Sequence, residues 1–476
     1  MYRFLTKHIV FFSALLFILI NGIFVYIQIP YLIFVSLLLL ALFVAFVRFD
    51  NFLLLIIFLV PLSVPLYEFF DNLSVNLYLP SEILIIVAFF LFFVKIIRSE
   101  VIDKRILIHP VSIAIYINLL WILITAFTSS MTIVSLKFFL SRLWFVVAFY
   151  FITAEFSKNY SFSKKYLWAY ILPLIFVIFY TIFRHVSIGL FDLQASHYVM
   201  SPFFNDHTSY GAILAMIVPV LTGFVVDKNN KGMERTFSFG FLVICIIALT
   251  LSYSRAAWLS LIFAIVIFIV TILRIRLWVL SIIGIYIFII VVINITEIVF
   301  SMGKNTTDSS ASLSEHVQSI SNISNDYSNV ERLNRWNCAF RMFKERPVFG
   351  WGPGTYTFKY APYQISFEKT PISTEEGDKG NAHSEYLGPL SESGLLGSIS
   401  FIAIIVVTLI TGFRVYKKVN TKALRILILS LLLGLITYYT HGVLNNFLDT
   451  DKASALFWGF AAMLVAIDIS HKKKNE

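Results

Sequence analysis

The chain of 476 residues is 59% hydrophobic and only 13% charged, and its formal net charge at pH 7 is +10. A soluble globular protein carries about 25% charged residues, so this composition excludes an ordinary soluble protein. The basic residues cluster in short connections between apolar runs, which accounts for the positive charge, and we expect no nucleic-acid partner.

Apolar runs of about 18 to 22 residues recur along the chain and predict an all-α polytopic membrane protein with about 12–14 transmembrane helices. Pro61 and Pro65 interrupt the third run. The first run has no small-residue cleavage site, so we interpret it as a retained span and not as a signal peptide. The candidate spans lie near 9–28, 31–48, 52–67, 81–97, 109–128, 133–154, 166–184, 208–226, 236–253, 256–273, 278–299, 395–413, 424–442 and 453–469.

Lysine and arginine residues occur in alternate connections and predict the orientation of the spans. The basic connections and both termini are expected in the cytoplasm, which places 185–207 and 300–394 on the extracytoplasmic side. We therefore divide the chain into three parts. They are eleven predicted spans over 1–299, a large outer loop containing helices over 300–394, and three further spans with a basic cytoplasmic tail over 395–476.

The large loop contains the longest soluble-like sequence in the chain. After a Ser/Asn/Thr-rich stretch, an amphipathic helix is predicted over 329–345, and Pro347 ends it. Its apolar residues at three- and four-residue spacing are Leu333, Trp336, Phe340 and Phe343. A turn rich in glycine and proline follows at 349–356. The polar stretch 381–397 then leads into the next span, and 383–393 is expected to form a short helix.

Arg255 lies in the sequence Leu249-Thr-Leu-Ser-Tyr-Ser-Arg-Ala-Ala-Trp258, where one span ends and the next begins. The small polar residues before it predict a polar pocket between the two apolar runs. A guanidinium in this position can hold a phosphate or carboxylate through two hydrogen bonds. The alternative is a structural arginine that extends from a span end to the membrane surface.

Three further candidates lie in the large loop. Arg332 is four residues before Trp336, and the neighbouring Arg335 is an equal candidate for binding an anion, although either can be an ordinary solvated arginine. His383 is the candidate general base, because a neutral imidazole can accept a proton near pH 7. Glu385 is expected to orient its ring. The competing histidines are His197, His207 and His441.

Charged residues also occur inside or beside predicted spans. Arg142 and Lys137 lie within the sixth span, where a charge usually faces a cavity or a partner. Arg142 can line a groove for a lipid headgroup, or it can pair with an internal residue such as Glu155. Asp206 and His207 begin a span on the predicted outer side and can face the same cavity.

Several sequence signatures of other chemistries are missing. The chain has no phosphate-binding glycine loop ending in Lys-Ser/Thr, no HExxH sequence and no paired cysteines. We therefore expect neither a metal nor a cofactor, and we expect no nucleotide hydrolysis. Cys245 lies in an apolar run and Cys338 in a polar segment, so a structural disulfide is not expected.

Four motifs in this order resemble the O-antigen ligase/polymerase superfamily. They are Ser254-Arg-Ala-Ala-Trp-Leu, Arg332-x-x-x-Trp336, Pro347-x-x-Gly-x-Gly-Pro-Gly-Thr-Tyr356, and His383-Ser-Glu-Tyr-Leu followed by Glu392-Ser-Gly-Leu-Leu-Gly397. The resemblance implies many spans with one large outer loop late in the chain. It also implies catalytic roles for two arginines and a histidine, which match Arg255, Arg332 and His383 by position.

The function implied by the resemblance is inverting, metal-independent transfer of a glycan from undecaprenyl diphosphate to an acceptor hydroxyl, such as that of a lipid A–core saccharide. The active site is expected on the outer face of the bacterial inner membrane. Arg142, Glu385, His207 and Arg335 are weaker substrate-binding candidates. The alternatives are an O-antigen or capsule polymerase, which lengthens a growing polysaccharide on the same carrier, a protein O-oligosaccharyltransferase, and, in a different class, a transporter for lipid-linked oligosaccharide.

Overall fold

The protein is an all-α polytopic membrane protein. A computed structural model describes Leu19 and residues 47–68, 77–98, 102–230, 232–275, 327–370, 373 and 380–475. Within these ranges, nine helices are long and apolar enough to cross a membrane. They are α4 (Pro110–Phe127), α5 (Thr132–Ser157, with a π-helical stretch at Val147–Ile152), α6 (Tyr160–Ile188), α8 (His207–Val226), α9 (Gly232–Leu251), α10 (Arg255–Ile272), α13 (Leu387–Lys418), α14 (Lys422–His441) and α15 (Asp451–Asn475).

Shorter elements connect these helices. The helices are α1 (Phe49–Leu59), α2 (Ser81–Ile97), α3 (Lys104–Leu107), α7 (Leu193–Ser196), α11 (Tyr327–Glu345) and α12 (Tyr356–Lys359). Four 3₁₀ turns lie at Val60–Leu62, Leu66–Glu68, Ala361–Tyr363 and Ser366–Glu368. A two-stranded antiparallel hairpin pairs β1 (Val64–Pro65) with β2 (Tyr78–Leu79). The predicted spans 9–28, 31–48 and 278–299 and the stretch 301–326 lie outside the described residues, apart from Leu19, Val47 and Arg48.

The predicted third span is shorter than expected. The prediction of an apolar helix over 52–67 was wrong in its length, because α1 has 11 residues and gives way to a 3₁₀ turn that contains Pro61. At a rise of 1.5 Å per residue, such a helix covers about half of the roughly 30 Å of hydrocarbon. Proline lacks the backbone N–H that the helix requires, so the chain turns into the β hairpin instead.

Helix α15 forms the centre of the bundle. Nearly all of its span is buried, and its small residues allow neighbouring side chains to reach its backbone. The hydroxyl of Tyr166 donates to the carbonyl of Ala455 at 2.7 Å, and that of Tyr170 donates to the carbonyl of Lys452 at 3.0 Å. Helices α9 and α10 instead leave most of their apolar side chains exposed, as expected of helices that face lipid.

Close packing of α8, α10 and α14 brings three chain segments to the same end of the bundle. A Cβ on Gly434 of α14 would lie 2.8 Å from the carbonyl oxygen of Met216 in α8, and a Cβ on Gly211 of α8 would lie 2.7 Å from the Cβ of Ser254. Glycine therefore permits these backbones to approach each other closely. The start of α8, the start of α10 and the end of α14 consequently meet, and we call this end of the bundle the site end.

Helix α11 confirms the predicted helix over 329–345, and it packs against α13. Its buried face, however, is not the predicted apolar stripe: Phe340 is 44% exposed. The fully buried positions are mostly polar or small, because an internal ion pair and hydrogen bonds satisfy the polar groups. They are Glu331, Asn334, Arg335, Cys338, Ala339 and Met342.

The predicted turn and short helix join at a kink in α13. Gly394 interrupts α13 with a φ of 69°, so that 387–393 forms the expected short helix before the span continues. The turn 347–354 docks on this kink: the amide of Leu395 donates to the carbonyl of Pro347 at 3.0 Å, and that of Gly352 donates to the carbonyl of Glu392 at 2.8 Å. Glu392 also accepts from the Tyr356 amide at 2.9 Å, which fixes the start of α12.

Candidate functional site

Arg255 is the first residue of α10, directly after the tight connection from α9. The connection turns at Tyr253, whose φ of 49° is in the left-handed region that few non-glycine residues adopt. Ser254 is buried against Gly211 of α8, which leaves no room for the connection to move toward that helix. The guanidinium of Arg255 is thereby placed at the site end, partly shielded from solvent.

Arg332 projects from the first turns of α11 into the same region. Burial, followed by the neighbouring charge of Arg255, lowers the pKa of Arg332 to about 10, while Asp206 opposes this shift. The two guanidinium groups are thus close enough to repel each other. Since each remains a cation at neutral pH, they form a compact region of positive charge from two segments that are distant in sequence.

His383 lies beside these arginines. Burial, and then the charges of Arg332 and Arg335, lower the pKa of His383 to about 3, so its ring is neutral at physiological pH. Its φ of 46° is again in the left-handed region, and its amide donates to the side chain of Asn381 at 2.9 Å. Unusual backbone conformations of this kind occur preferentially at functional sites, where the surrounding structure maintains them.

His207 and Asp206 lie near Arg255 and Arg332. The carboxylate of Asp206 caps α8 by accepting from the Ser209 amide at 2.7 Å. The ring of His207 packs edge-to-face on that of His197, with 4.2 Å between centroids. His207 is also within electrostatic reach of Arg332 and Arg255. The structure therefore brings together four of the residues singled out in the sequence, namely Arg255, Arg332, His383 and His207.

Arg335 has a different environment from Arg332. Its Nε donates to Glu331 at 2.8 Å, and its guanidinium lies over the ring of Tyr360 at 4.9 Å from the centroid. A Cβ at Gly380 would overlap this guanidinium, so a larger residue there would force the side chain of Arg335 to move. Arg335 therefore connects the segment before His383 to α11. Its positive charge acts on His383, while its hydrogen bonds go to Glu331 and to the carbonyl of Asn381.

Glu385 differs from its expected arrangement. Its Oε1 accepts three hydrogen bonds, from the Tyr438 hydroxyl at 2.6 Å and from the amides of Phe447 and Leu448 at 2.8 Å, and none comes from the ring of His383. The amide of Glu385 also donates to the carbonyl of Gly442 at 2.8 Å. Glu385 thus clamps the turn 442–448 to the segment that carries His383.

Arg142 forms an ion pair that the sequence did not reveal. Its Nη2 lies 2.6 Å from Asp449, and Glu155, the partner considered from the sequence, instead pairs with Lys158 at 2.5 Å. Asp449 is half exposed at the end of the turn 442–449. No sequence pattern links these positions, which are 307 residues apart. Only the cost of an arginine at depth in a span indicates that such a partner must exist.

Potential metal ligands are dispersed over the part of the chain that the structure describes. No group of three or more His, Cys, Asp or Glu side chains comes together there as a metal site would require. The expectation that the reaction needs no metal remains a prediction. Both cysteines are buried and free, in agreement with the absence of an expected disulfide.

The family comparison concerns the same segment of the chain. A family model described as O-antigen ligase matches residues 240–402. That segment of the chain resembles an O-antigen ligase domain. This domain includes Arg255, Arg332 and His383, and the resemblance to the O-antigen ligase superfamily is thereby confirmed. No curated protein matches the chain.

Part of the cluster comes from outside the O-antigen ligase domain. His207 and Asp206 precede residue 240, and the turn 442–449 follows residue 402. The domain therefore supplies the two arginines and the histidine, while the flanking helices α8 and α14 surround them. The matched segment alone would leave these residues without the helices against which α10 packs.

Proposed function

We propose that the protein transfers a glycan from undecaprenyl diphosphate to an acceptor hydroxyl, as do the ligases that join O-antigen to a lipid A–core saccharide. The site end of the bundle then lies on the extracytoplasmic side of the bacterial inner membrane, and both termini lie in the cytoplasm. The observation that carries this proposal is the convergence of two arginines and a neutral histidine, from three separate segments, within an O-antigen ligase domain.

The arginine pair fits a diphosphate. Two like charges at a shielded site repel each other, and a bound dianion lowers this repulsion while accepting hydrogen bonds from both planar groups. Negative charge grows on the diphosphate as the glycosidic bond to it breaks. Arg255 and Arg332 would therefore bind the transition state more tightly than the ground state, which is the condition for catalysis.

His383 would act as the general base. The acceptor oxygen attacks the anomeric carbon from the face opposite the diphosphate, its proton passes to the ring of His383, and the electron pair of the breaking C–O bond leaves with undecaprenyl diphosphate. One displacement of this kind inverts the anomeric configuration. Because the leaving group is already anionic and held by two cations, charge stabilisation and positioning provide the required catalysis without a metal.

Substrate binding would also tune His383. Positive charge from Arg332 and Arg335 helps to keep its pKa low, which makes the free ring a weak proton acceptor. A diphosphate bound to Arg332 adds negative charge close to the ring and raises the pKa toward the operating pH. The base would therefore become effective only when the donor is in place, which limits unproductive proton transfer.

The proposal is tested by product analysis with the purified full-length protein in liposomes, supplied with undecaprenyl diphosphate-linked glycan and a lipid A–core acceptor. We expect a ligated product by mass spectrometry, and a loss of at least about tenfold in rate for Arg332→Lys, which keeps the charge but not the two-point geometry. Arg341→Lys is the matched control, because Arg341 is on the same helix but binds Glu368 at 2.7 Å.

The products also separate the alternatives. A lengthened carrier-linked glycan would identify a polymerase, and a glycosylated protein would identify a protein O-oligosaccharyltransferase; both reactions would use the same residues with a different acceptor. Movement of the lipid-linked glycan across the bilayer, without a new glycosidic bond, would replace the enzyme with a transporter. Wild-type transfer by Arg332→Lys would contradict the assigned role of Arg332.

A further inference from the structure

Buried polar atoms without hydrogen-bond partners collect at the end of α14. Both ring nitrogens of His441 and the Nδ2 of Asn445 are buried, and neither residue has a partner for these atoms among the described residues. His441 is only 1% exposed and Asn445 only 2%. Native proteins satisfy nearly all buried polar side chains, so two adjacent exceptions require an explanation.

His441 lies close to the candidate active site. His441 is within electrostatic reach of Arg332, Asp206 and His207. The Oγ of Ser254, next to Arg255, and the Nδ1 of His207 are likewise buried without a hydrogen-bond partner in the described part of the chain. The unpaired atoms of α8, α14 and the connection before α10 therefore line one region beside the arginine pair.

Hydrogen bonds hold the backbone that carries both side chains. His441 is the last residue of α14, and the amide of Gly442 closes the helix on the carbonyl of Tyr438 at 2.7 Å. Glu385 then holds the following turn through the amides of Phe447 and Leu448. A backbone held in this way before any ligand arrives is expected of a preorganised binding site.

The chemistry of these atoms differs from that of the arginines. A neutral imidazole donates through one nitrogen and accepts through the other, and a carboxamide does both as well. A sugar hydroxyl both donates and accepts, so it can satisfy both types of atom. A phosphate oxygen that carries no proton only accepts, and it is better matched by guanidinium groups, which only donate.

We propose that His441 and Asn445 bind hydroxyl groups of the sugar that is attached to the diphosphate of the donor. This inference rests on the proposed function, because it takes the arginine pair as the diphosphate site and places the first sugar beside it. His441 and Asn445 are positioning residues that hold the anomeric carbon in line with His383. The donor lipid thus meets two separate recognition elements, one for its charge and one for its sugar.

The test compares two lipids on the purified full-length protein. His441→Leu should lower affinity for undecaprenyl diphosphate-linked glycan about tenfold, the loss expected for one or two hydrogen bonds, and leave affinity for bare undecaprenyl diphosphate unchanged. His441→Gln, which retains a donor and an acceptor, should recover part of the loss. His441→Leu should also keep or raise thermal stability, because it removes buried unsatisfied polar atoms.

His185→Leu is the matched control. His185 is equally buried and lies near the end of α6, but its Nε2 already contacts the carbonyl oxygen of Asp192 at 3.0 Å. Its replacement should lower stability and leave both affinities unchanged. This pattern, opposite to that of His441, distinguishes a binding role from a structural one.

Three results would overturn the inference: unchanged affinity of His441→Leu for the glycan-linked lipid, an equal loss for both lipids, or a higher KM for the acceptor alone. Arg332→Lys, measured in parallel, tests the proposed function separately. Unchanged binding of bare undecaprenyl diphosphate by Arg332→Lys would contradict the diphosphate site. A selective loss by His441→Leu in the same experiment would still support the sugar site.

Discussion

His383 connects the electrostatics of the site to its proposed chemistry. Its neutral ring is maintained mainly by burial, with a further contribution from Arg332 and Arg335. A base of such low pKa is ineffective by itself, and its activity depends on a nearby anion. The proposed role of His383 therefore depends on its surroundings, because a bound anionic donor would raise the pKa of its ring.

This dependence predicts different pH profiles for the free protein and for the donor complex. The acid limb of kcat/KM, which reports the free enzyme, should follow the His383 pKa of about 3, so it is absent from the neutral and mildly acidic range. The acid limb of the kcat profile, which reports the donor complex, should lie at higher pH, because the bound diphosphate raises the pKa of His383. Steady-state transfer rates measured across pH give both profiles. If their acid limbs lie at the same pH, donor binding does not raise the pKa of His383.

The residues that the sequence assigned to catalysis lie close together in the structure, and their catalytic roles stay predictions. Arg255, Arg332 and His383 were recognisable because short motifs surround them, and the structure brings all three together. The ion pair of Arg142 was not recognisable, since Asp449 is distant along the chain and such a pairing depends on tertiary packing. The pair of Glu331 and Arg335 is local, because four residues separate them on one helix, and this spacing is compatible with an ion pair.

Glu385 shows the same limit. Its proximity to His383 in the sequence suggested a direct contact, yet its Oε1 faces the end of α14 and the turn after it. In an extended segment, residues two apart lie on the same side. The left-handed φ of 46° at His383 breaks that pattern, and the carboxylate of Glu385 is directed at α14 instead. The sequence located an important residue and assigned it a different contact from the one observed.

At the scale of elements, the kink in α13 positions the large loop relative to the bundle. Gly394 has a φ of 69°, and a Cβ there would overlap the carbonyl of Val348. The turn 347–354 depends on this kink, and α11, which carries Arg332, ends just before the turn. The position of Arg332 is thereby linked to one glycine more than 60 residues later.

Gly394→Ala should therefore destabilise the protein by at least about 1–2 kcal/mol from backbone conformation alone, with the overlap adding to this, and it should reduce transfer. Gly240→Ala is the control, because a Cβ on Gly240 in α9 meets nothing within 4 Å. It should be neutral or stabilise by up to about 1 kcal/mol. Thermal unfolding and transfer assays measure both, and equal behaviour of the two variants would refute the role of the kink.

Element boundaries followed from the sequence where apolar runs were long and uninterrupted. The nine long helices within the described ranges agree with predicted spans, usually with a few added residues at the ends. The errors concern α1, which Pro61 ends early, and α11, whose buried face carries Glu331 and Arg335. Hydrophobicity alone could not identify that face, because the buried polar groups satisfy one another.

At the scale of the whole molecule, the basic loops predict which side of the membrane each segment occupies. A cysteine at Asn337, which is exposed on α11, should react with a membrane-impermeant maleimide in intact spheroplasts. A cysteine at Asn229, exposed between α8 and α9, should react only after permeabilisation. The native Cys245 and Cys338 are buried and should give little background. Labelling with the reverse pattern would invert the proposed orientation.

The whole chain combines a buried core with an apolar surface. Helix α15 and its neighbours form the buried core, and α9 and α10 expose apolar surface. On the proposed function, the donor lipid would approach this apolar surface while Arg255, Arg332 and His383 bind its diphosphate and sugar. The division of the chain into 1–299, 300–394 and 395–476 remains a prediction.

The central claim is that His383 performs proton transfer at a site where the arginines already hold the donor. Single-turnover transfer by purified His383→Gln, started from a preformed complex with the lipid-linked glycan, tests this claim most directly. We predict unchanged donor affinity and a rate of glycosidic bond formation reduced by about 10²–10⁴-fold, the usual contribution of a general base. A wild-type rate of bond formation in this variant, with the donor bound normally, would contradict the account.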